Sequence, residues 1–286
     1  MKTFPVILVL VLAWFRAAAQ VDVSLALNQD QFLPNESLPV AVKIINRSGQ
    51  SLHFGAAANW LTFSVESADG FVVIKNAEVP VQGEFDLESS QMGTKRVDLQ
   101  PYFMLVRPGH YKITATVRIP QWSAELSSPV TAFDVVNGAK LWEQEFGIPS
   151  VSNRPPEMRK YTLEQANYLR EQLRLYVLVS DAASGNVLKV SPLGPMVSFS
   201  DPEAQVDRLG RLHVLWQTGG QTFASSAVDP GGVVVQQELY DYYDTRPRLT
   251  VNDQGDVTVT GGVRRVKSAE VPAVVPPDEI PAPAKP

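Results

Sequence analysis

The residues that could carry out chemistry are few and scattered along the sequence. There are three histidines, His53, His110 and His213, and no cysteine. The histidines fall in different predicted elements, so their spacing does not form a set of metal ligands. Without cysteine the chain has no disulfide, thiol nucleophile or thiolate metal site. No Gly-rich phosphate loop and no Gly-x-Ser-x-Gly elbow is present either, and we therefore predict no catalytic residue, no metal site and no cofactor.

Two pairs of Asp and Asn side chains could be functional. Asp241 and Asp244 bracket two tyrosines, but glycosidase chemistry needs a pair of carboxylates across a cleft, and the sequence does not place them there. Asp207 and Asn252 each begin a short segment that ends in glycine. Side chains of this type accept hydrogen bonds from nearby backbone N–H groups in turns. We therefore predict a turn role for Asp207 and Asn252, with calcium binding or catalysis as the alternative.

One stretch, residues 240–248, combines aromatic and arginine side chains in the way that binding surfaces do. The predicted binding residues are Trp216, Tyr240, Tyr242, Tyr243, Arg246 and Arg248. The alternative is structural, because tyrosine and tryptophan also favour strands. In that case Arg246 pairs with Asp241 or Asp244.

A repeated pattern lies beside these residues. Residues 202–215 recur at 247–260, a spacing of about 45 residues, which is typical of β-propeller blades. Residues 203–207 and 211–217 alternate in polarity and are predicted strands. Gly210 is suited to the turn between them, because glycine adopts positive φ without steric cost.

The N-terminal part, residues 20–137, contains about seven short alternating segments separated by turn residues, which is typical of a β-sandwich. Within it, Arg107-Pro-Gly-His-Tyr111-Lys-Ile113 resembles the tyrosine corner of immunoglobulin-like sandwiches. The resemblance implies that the Tyr111 hydroxyl bonds back to the turn, and it places Ile113 where antibody domains carry a cysteine. Residues 42–54, with Asp69-Gly70, are also similar to bacterial proteinase-inhibitor sandwich domains.

The second part begins after a predicted connector, residues 138–159, in which glycine and proline disfavour regular structure. Residues 162–173 fit an amphipathic helix with a capping box, but they also fit a strand, Lys160–Gln165, paired with Arg174–Ser180. We favour the strand. The segment from Pro202 to Trp216 resembles blades of sialidase-like propellers.

Residues 160–266 hold about two blades, whereas a closed propeller needs at least about four. We therefore predict an open, twisted β-meander with a strand edge that something must cover. The connector is adjacent to the meander and carries the apolar residues Trp142 and Phe146. Both are predicted to be mostly buried, packed on the meander or in the cleft between the two domains.

The two ends of the sequence predict targeting and a tail. Lys2, an apolar run over 4–15 and Ala17–Ala19 are typical of a secretory signal peptide, residues 1–19, cleaved after Ala19. A run of this length is too short for a membrane helix, which needs about 20 residues; the alternative is an uncleaved anchor. No later stretch is long and apolar enough for a membrane helix, so we expect no membrane span after cleavage. Residues 267–286 are rich in proline and are predicted to be a disordered tail.

These features predict an all-β protein: an immunoglobulin-like sandwich followed by a C-terminal twisted β-meander of about two blade-like units. The net charge of −5 and the lack of a basic run argue against nucleic acid as a partner. We expect an exported, non-enzymatic binding or scaffold protein of the bacterial envelope, in the periplasm, at the cell surface or secreted. Its partner would be an envelope protein or glycan. The alternatives are a proteinase inhibitor, from the sandwich resemblance, and a carbohydrate-binding or carbohydrate-active protein, from the blade resemblance.

Overall fold

A computed structural model describes residues 20–148, 157–169 and 171–265. The predicted signal peptide and proline-rich tail lie outside these residues. The described chain is almost entirely β-structure, which confirms the predicted all-β class. Two short 3-10 turns, Gln100–Tyr102 and Pro120–Trp122, interrupt the strands. No described helix is long and apolar enough to cross a bilayer.

The N-terminal strands form a two-sheet sandwich. The strands are β1 Val21–Leu27, β2 Gln31–Phe32, β3 Pro39–Asn46, β4 Leu52–Phe54, β5 Leu61–Ser67, β6 Phe85–Leu87, β7 Met92–Asp98, β8 Gly109–Ile119, β9 Ala124–Ser127 and β10 Thr131–Val135. One sheet has the order β1-β3-β7 and the other β2-β10-β8-β5, with β9 also paired to β8 and a small β4-β6 pair apart. The pairs are antiparallel except β2 with β10, which is parallel.

Alternation along the strands builds the sandwich core. In β3 every second residue is buried, including Val40, Val42 and Ile44. The same cluster contains Ile113 and Ala115 of β8, so the two sheets pack face to face. Burying large apolar side chains of this kind contributes roughly 1.5–3 kcal/mol each, and the core needs no disulfide to hold the sheets together.

Tyr111, near the start of β8, forms the corner that the sequence predicts. Its hydroxyl donates a hydrogen bond to the backbone carbonyl of Arg107. Its ring is buried, stacks on Phe133 at 5.4 Å and meets the edge of Phe71 at 5.5 Å. Burial raises the pKa of Tyr111, so the hydroxyl stays protonated as a donor at neutral pH.

Replacing Tyr111 with phenylalanine removes only this hydrogen bond. We expect Tyr111→Phe to lower the free energy of unfolding by roughly 0.5–1.5 kcal/mol, the usual net value of one such bond. Urea denaturation checks the value, with Tyr243→Phe as the control because Tyr243 is 69% exposed. Equal midpoints for wild type and Tyr111→Phe would mean that the corner bond does not stabilise the sandwich.

The C-terminal strands form the meander. They are β11 Ala139–Ile148, β12 Glu157–Leu169, β13 Gln172–Asp181, β14 Val187–Pro195, β15 Glu203–Val206, β16 Leu212–Gln217, β17 Thr222–Val228, β18 Val234–Asp241, β19 Arg248–Val251, β20 Val257–Thr260 and β21 Val263–Arg264. β11 to β14 make the first blade and β15 to β18, with β21 at the edge, make the second. The pair β19–β20 stands alone as a half-blade.

The prediction of a connector over residues 138–159 is wrong for its first half and for residues 157–159, which already belong to β12. Residues 139–148 are β11, which pairs with β12 along its whole length. Two features hid this strand: β11 lies at a sheet edge, and its register shifts between Lys140 and Trp142, which breaks the alternation. Of the residues that suggested a connector, Pro149, Pro155 and Pro156 fall in the stretch between β11 and β12 that the structure does not describe.

The predicted strand over residues 160–165 is confirmed, and the helix alternative is wrong. Lys160 pairs with Ser180 and Gln165 with Leu175 in the β12–β13 ladder. The repeat is confirmed as well: β15–β16 and β19–β20 are the same hairpin, about 45 residues apart. Gly210 and Gly255 occupy equivalent turn positions, with φ of 74° and 78°.

The predicted burial of Phe146 and Trp142 is right for the first and only partly right for the second. Phe146 is buried and stacks on Tyr161 at 4.2 Å. The Tyr161 hydroxyl donates to the carbonyl of Gly210, at 2.9 Å, which ties the first blade to the turn of the second. Trp142 is only half-buried at the margin of the same core.

The sandwich and the first blade meet along a buried seam. Leu33 of the sandwich packs with Ala166, Tyr176 and Val190 of the blade. Beside this apolar contact lies a polar chain, in which Arg174 Nη1 donates to Gln29 Oε1 at 2.7 Å, and Gln29 Nε2 donates to Glu36 Oε1 at 2.9 Å. The seam therefore covers the outer face of the first blade.

Candidate binding surface

The Asp207 carboxylate organises the turn of the repeated hairpin. Its Oδ1 accepts the backbone N–H groups of Leu209 and Arg211, both at 2.9 Å. Its Oδ2 accepts Arg211 Nε at 2.8 Å and faces His213 Nε2 at 3.0 Å. Burial favours the neutral acid, but the hydrogen bonds from His213 and Arg211 outweigh it and lower the pKa of Asp207. An ionised carboxylate only accepts, so we assign the proton of the shared bond to His213 Nε2.

The same turn chemistry recurs in the other hairpins. Asn252 Oδ1 accepts the N–H groups of Gln254 and Asp256, and Asp229 Oδ1 accepts those of Gly231 and Val233. These bonds confirm the predicted turn role of Asp207 and Asn252. Among the described residues, no group of His, Asp and Glu side chains is arranged to hold a metal ion.

A polar groove separates the second blade from the half-blade. Its volume is about 360 Å³, and its walls include Arg211, His213, Glu238, Tyr240 and Arg264. Glu238 accepts the Tyr240 hydroxyl at 2.6 Å and Arg264 Nη1 at 2.7 Å. The bond from Tyr240, followed by that from Arg264, holds the pKa of Glu238 below its usual value. Glu238, Tyr240 and Arg264 are thus paired with one another, and Arg211 and His213 are paired with Asp207.

Two of the predicted binding residues are not on the surface. Trp216 is 1% exposed, and its indole Nε1 donates to the Pro195 carbonyl at 3.0 Å. Its assignment as a binding residue is therefore corrected: both faces of β16 are covered, by the first blade on one side and by the half-blade on the other. Tyr240 is also buried against the half-blade, and its pKa rises to about 12 because of burial and the bond to Glu238.

The remaining predicted residues are exposed. Tyr243 is 69% exposed, and Tyr242 lies beside it at the surface. Arg246 Nη2 donates to Ser200 Oγ at 3.1 Å and the guanidinium lies over the Phe223 ring at 5.2 Å. The structural alternative paired Arg246 with Asp241 or Asp244. In the structure Arg246 bonds to Ser200, and Asp241 binds Arg265.

Arg248 joins the two copies of the repeat. Its Nη1 donates to Glu203 Oε1 at 2.7 Å, and Glu203 Oε2 accepts the backbone N–H of Leu249 at 2.9 Å. Glu203 and Arg248 are the first residues of β15 and β19, the equivalent strands of the repeat. The Glu203 carboxylate therefore joins the two hairpins of the repeat, and it does so at their equivalent first positions.

The structure adds Phe199, which sequence reasoning missed. Phe199 is 75% exposed and lines an open groove of about 520 Å³ together with Arg246 and Arg248. Its only signal in the sequence is a lone aromatic residue in the polar loop before Pro202. We call Phe199, Tyr242, Tyr243, Arg246 and Arg248 the aromatic–arginine surface.

Comparison with known proteins gives little. No family model and no curated protein matches the chain. Among solved structures, the chain is similar to Spo0M, a sporulation control protein from Bacillus subtilis, with 10% identity and a TM-score of 0.32. The match covers 60% of this chain and 89% of that one.

Proposed function

We propose that the protein is an exported, non-enzymatic binding or scaffold protein of the bacterial envelope, and that the aromatic–arginine surface contacts a protein partner. The observation that supports it is the 75% exposure of Phe199 in one groove with Arg246 and Arg248. Tyr243, which is 69% exposed, lies a few residues before these arginines in the sequence. An aromatic ring that stays exposed to water contributes no burial of apolar surface to the stability of the fold. Arginine and aromatic residues also carry much of the energy in protein interfaces.

The two arginines are held in place before any partner arrives. Arg246 is fixed by Ser200 and the Phe223 ring, and Arg248 by Glu203. A side chain that is already ordered loses less conformational entropy on binding than a free one. Export is supported separately by the N-terminal sequence pattern, and the absence of cysteine suits a chain that relies on its own core.

The proposal is tested with the mature protein. Its intact mass should correspond to a chain whose first residue is Gln20. Immobilised wild type is compared with Phe199→Ala and Arg248→Ala in capture and affinity measurements on envelope proteins. Each variant should weaken binding by about tenfold or more, since a truncated hot-spot residue costs about 2 kcal/mol or more and about 1.4 kcal/mol corresponds to tenfold in affinity. The control is Val130→Ala, which also removes an exposed side chain, 61% accessible, but from the sandwich. Equal binding by all four proteins would contradict the proposed surface.

Glycan binding is a second candidate, because the polar groove contains guanidinium and carboxylate groups that can each form two hydrogen bonds to sugar hydroxyls. Arg264 and Glu238 face each other across 2.7 Å there, with Tyr240 beside them. The same variants, applied to a glycan array with Arg264→Ala added, separate the candidates. Glycan retention that depends on Arg264 and not on Phe199 would favour the groove over the aromatic–arginine surface.

A further inference from the structure

Two segments of the sandwich form an antiparallel pair outside the named strands, one between β5 and β6 and the other just before β8. The backbone N–H of Met104 donates to the carbonyl of Ile74 at 2.9 Å. An antiparallel bridge at the neighbouring position sets these two residues opposite each other. Two residues further along, the same register sets Val72 opposite Val106.

A contact at the end of the pair supports this register, which sets Phe71 opposite Arg107. The Arg107 guanidinium lies over the Phe71 ring, 4.5 Å from its centre. Phe103 and Leu105, on the inner face of the pair, are buried in the sandwich core, and Phe71 packs against the same core. The pair is therefore fixed to the sandwich by its inner face.

The outer face of the pair carries four exposed aliphatic side chains. Val72 is 87% exposed, and Ile74, Met104 and Val106 are each about half-exposed. Opposite residues of an antiparallel pair have Cβ atoms about 4.5–5.5 Å apart, so the four side chains form one continuous patch. Apolar residues on both faces are typical of β-segments that a further layer covers. In the described chain this outer face is open.

The charges around the patch are balanced at both of its ends. At one end Lys75 forms an ion pair with Glu78 at 2.6 Å. At the other end lie Arg107 and Asp69, whose carboxylate accepts the backbone N–H of His110 at 2.7 Å. Peripheral binding to a lipid surface favours an excess of Lys and Arg around an apolar face, so this balance argues against lipid. In a two-fold dimer the same surface meets itself, and neutral ends bring no net like charge together.

We propose that Val72, Ile74, Met104 and Val106 form the contact of a weak homodimer, in which two sandwiches pack these faces on each other across a two-fold axis. A second copy supplies an uncharged apolar face of the same size, so neither side buries a charge. Four side chains are far fewer than the about 20–30 residues a side of a stable complex, so the dimer forms only as the concentration rises. This inference goes beyond the proposed function and does not depend on the aromatic–arginine surface.

Sedimentation velocity of the mature protein tests the proposal, from about 10 μM to about 1 mM, the range of weak association. The sedimentation coefficient of the wild type should rise with concentration. Val72→Asp would bury one carboxylate from each copy in the contact, and should raise the dissociation constant of the dimer about tenfold or more. Its urea midpoint should not change, because Val72 is 87% exposed in the single chain. Val130→Asp is the matched control, since Val130 is another exposed valine of the sandwich, and it should leave the dissociation constant unchanged.

The absence of cysteine allows a second test, because a single substitution introduces a unique thiol. With a short bis-maleimide linker, Val72→Cys should give a crosslinked dimer, and Val130→Cys much less of it at the same concentration. A wild type that stays monomeric over the whole range overturns the proposal, and so does equal weakening by Val72→Asp and Val130→Asp. Binding of the monomer to phosphatidylcholine vesicles that Val72→Asp abolishes would assign the patch to lipid and would overturn it as well.

Discussion

Replacing Trp216 with alanine should lower the free energy of unfolding by about 3–5 kcal/mol, the range for large core truncations. Trp216 is 1% exposed and contacts the first blade, where its indole binds Pro195 and its ring lies against Gly194. The truncation would leave a cavity between the two blades and an unpaired carbonyl at Pro195. Urea denaturation measures the loss.

Trp142→Ala is the matched control for this change. Trp142 is half-buried at the margin of the same core and has one face near solvent. Its loss should therefore cost about half as much or less, because the cost of truncation depends on how much buried contact is removed. If Trp142→Ala destabilises the protein as much as Trp216→Ala, the core between the blades is not centred where the structure places it.

The second large effect is a pH dependence that arises at the seam. Glu36 is buried, and burial raises its pKa from 4.5 to about 7 although the backbone N–H of Leu33, Gln29 and the charge of Arg174 act in the opposite direction. The folded protein therefore holds this proton more tightly than the unfolded chain does. The resulting stabilisation is complete below about pH 4.5 and is lost as the pH rises through about 7.

The expected size follows from the shift. One pKa unit corresponds to about 1.4 kcal/mol, so the contribution of Glu36 between pH 4.5 and pH 8 is on the order of 3 kcal/mol. Urea denaturation of wild type and Glu36→Gln across this range checks it. Other groups titrate equally in both proteins and cancel in the difference. A difference between the two proteins that does not change with pH would show that Glu36 is already ionised in the folded state.

Local turn chemistry explains why much of the fold could be predicted. Asp207 and Gly210 define their hairpin within four residues, and the Tyr111 hydroxyl bonds only four residues back. Both patterns are complete within a short window of sequence. The edge strand β11 was missed because its alternation is broken by a register shift, and because only one side of it is paired.

The binding residues were harder to predict. Alternation shows which residues share a strand face, but it does not show which of the two faces is covered. Trp216 and Leu215 point to opposite faces of β16, yet both are buried, since a blade and a half-blade enclose the strand. Phe199 has no periodic neighbours that would mark it. The bond from Arg174 to Gln29 joins residues 145 apart in sequence, and nothing local in either segment indicates the other.

Site-specific photo-crosslinking in the envelope of the living cell tests the central claim most directly. A photoreactive amino acid at position 243, in the aromatic–arginine surface, is compared with the same residue at position 130, on the sandwich. Both positions are exposed to similar extents, 69% and 61%. We predict a discrete crosslinked product with one envelope protein from position 243 that Arg248→Ala abolishes, and none of that product from position 130. The same product from both positions, or none from position 243, would contradict the account.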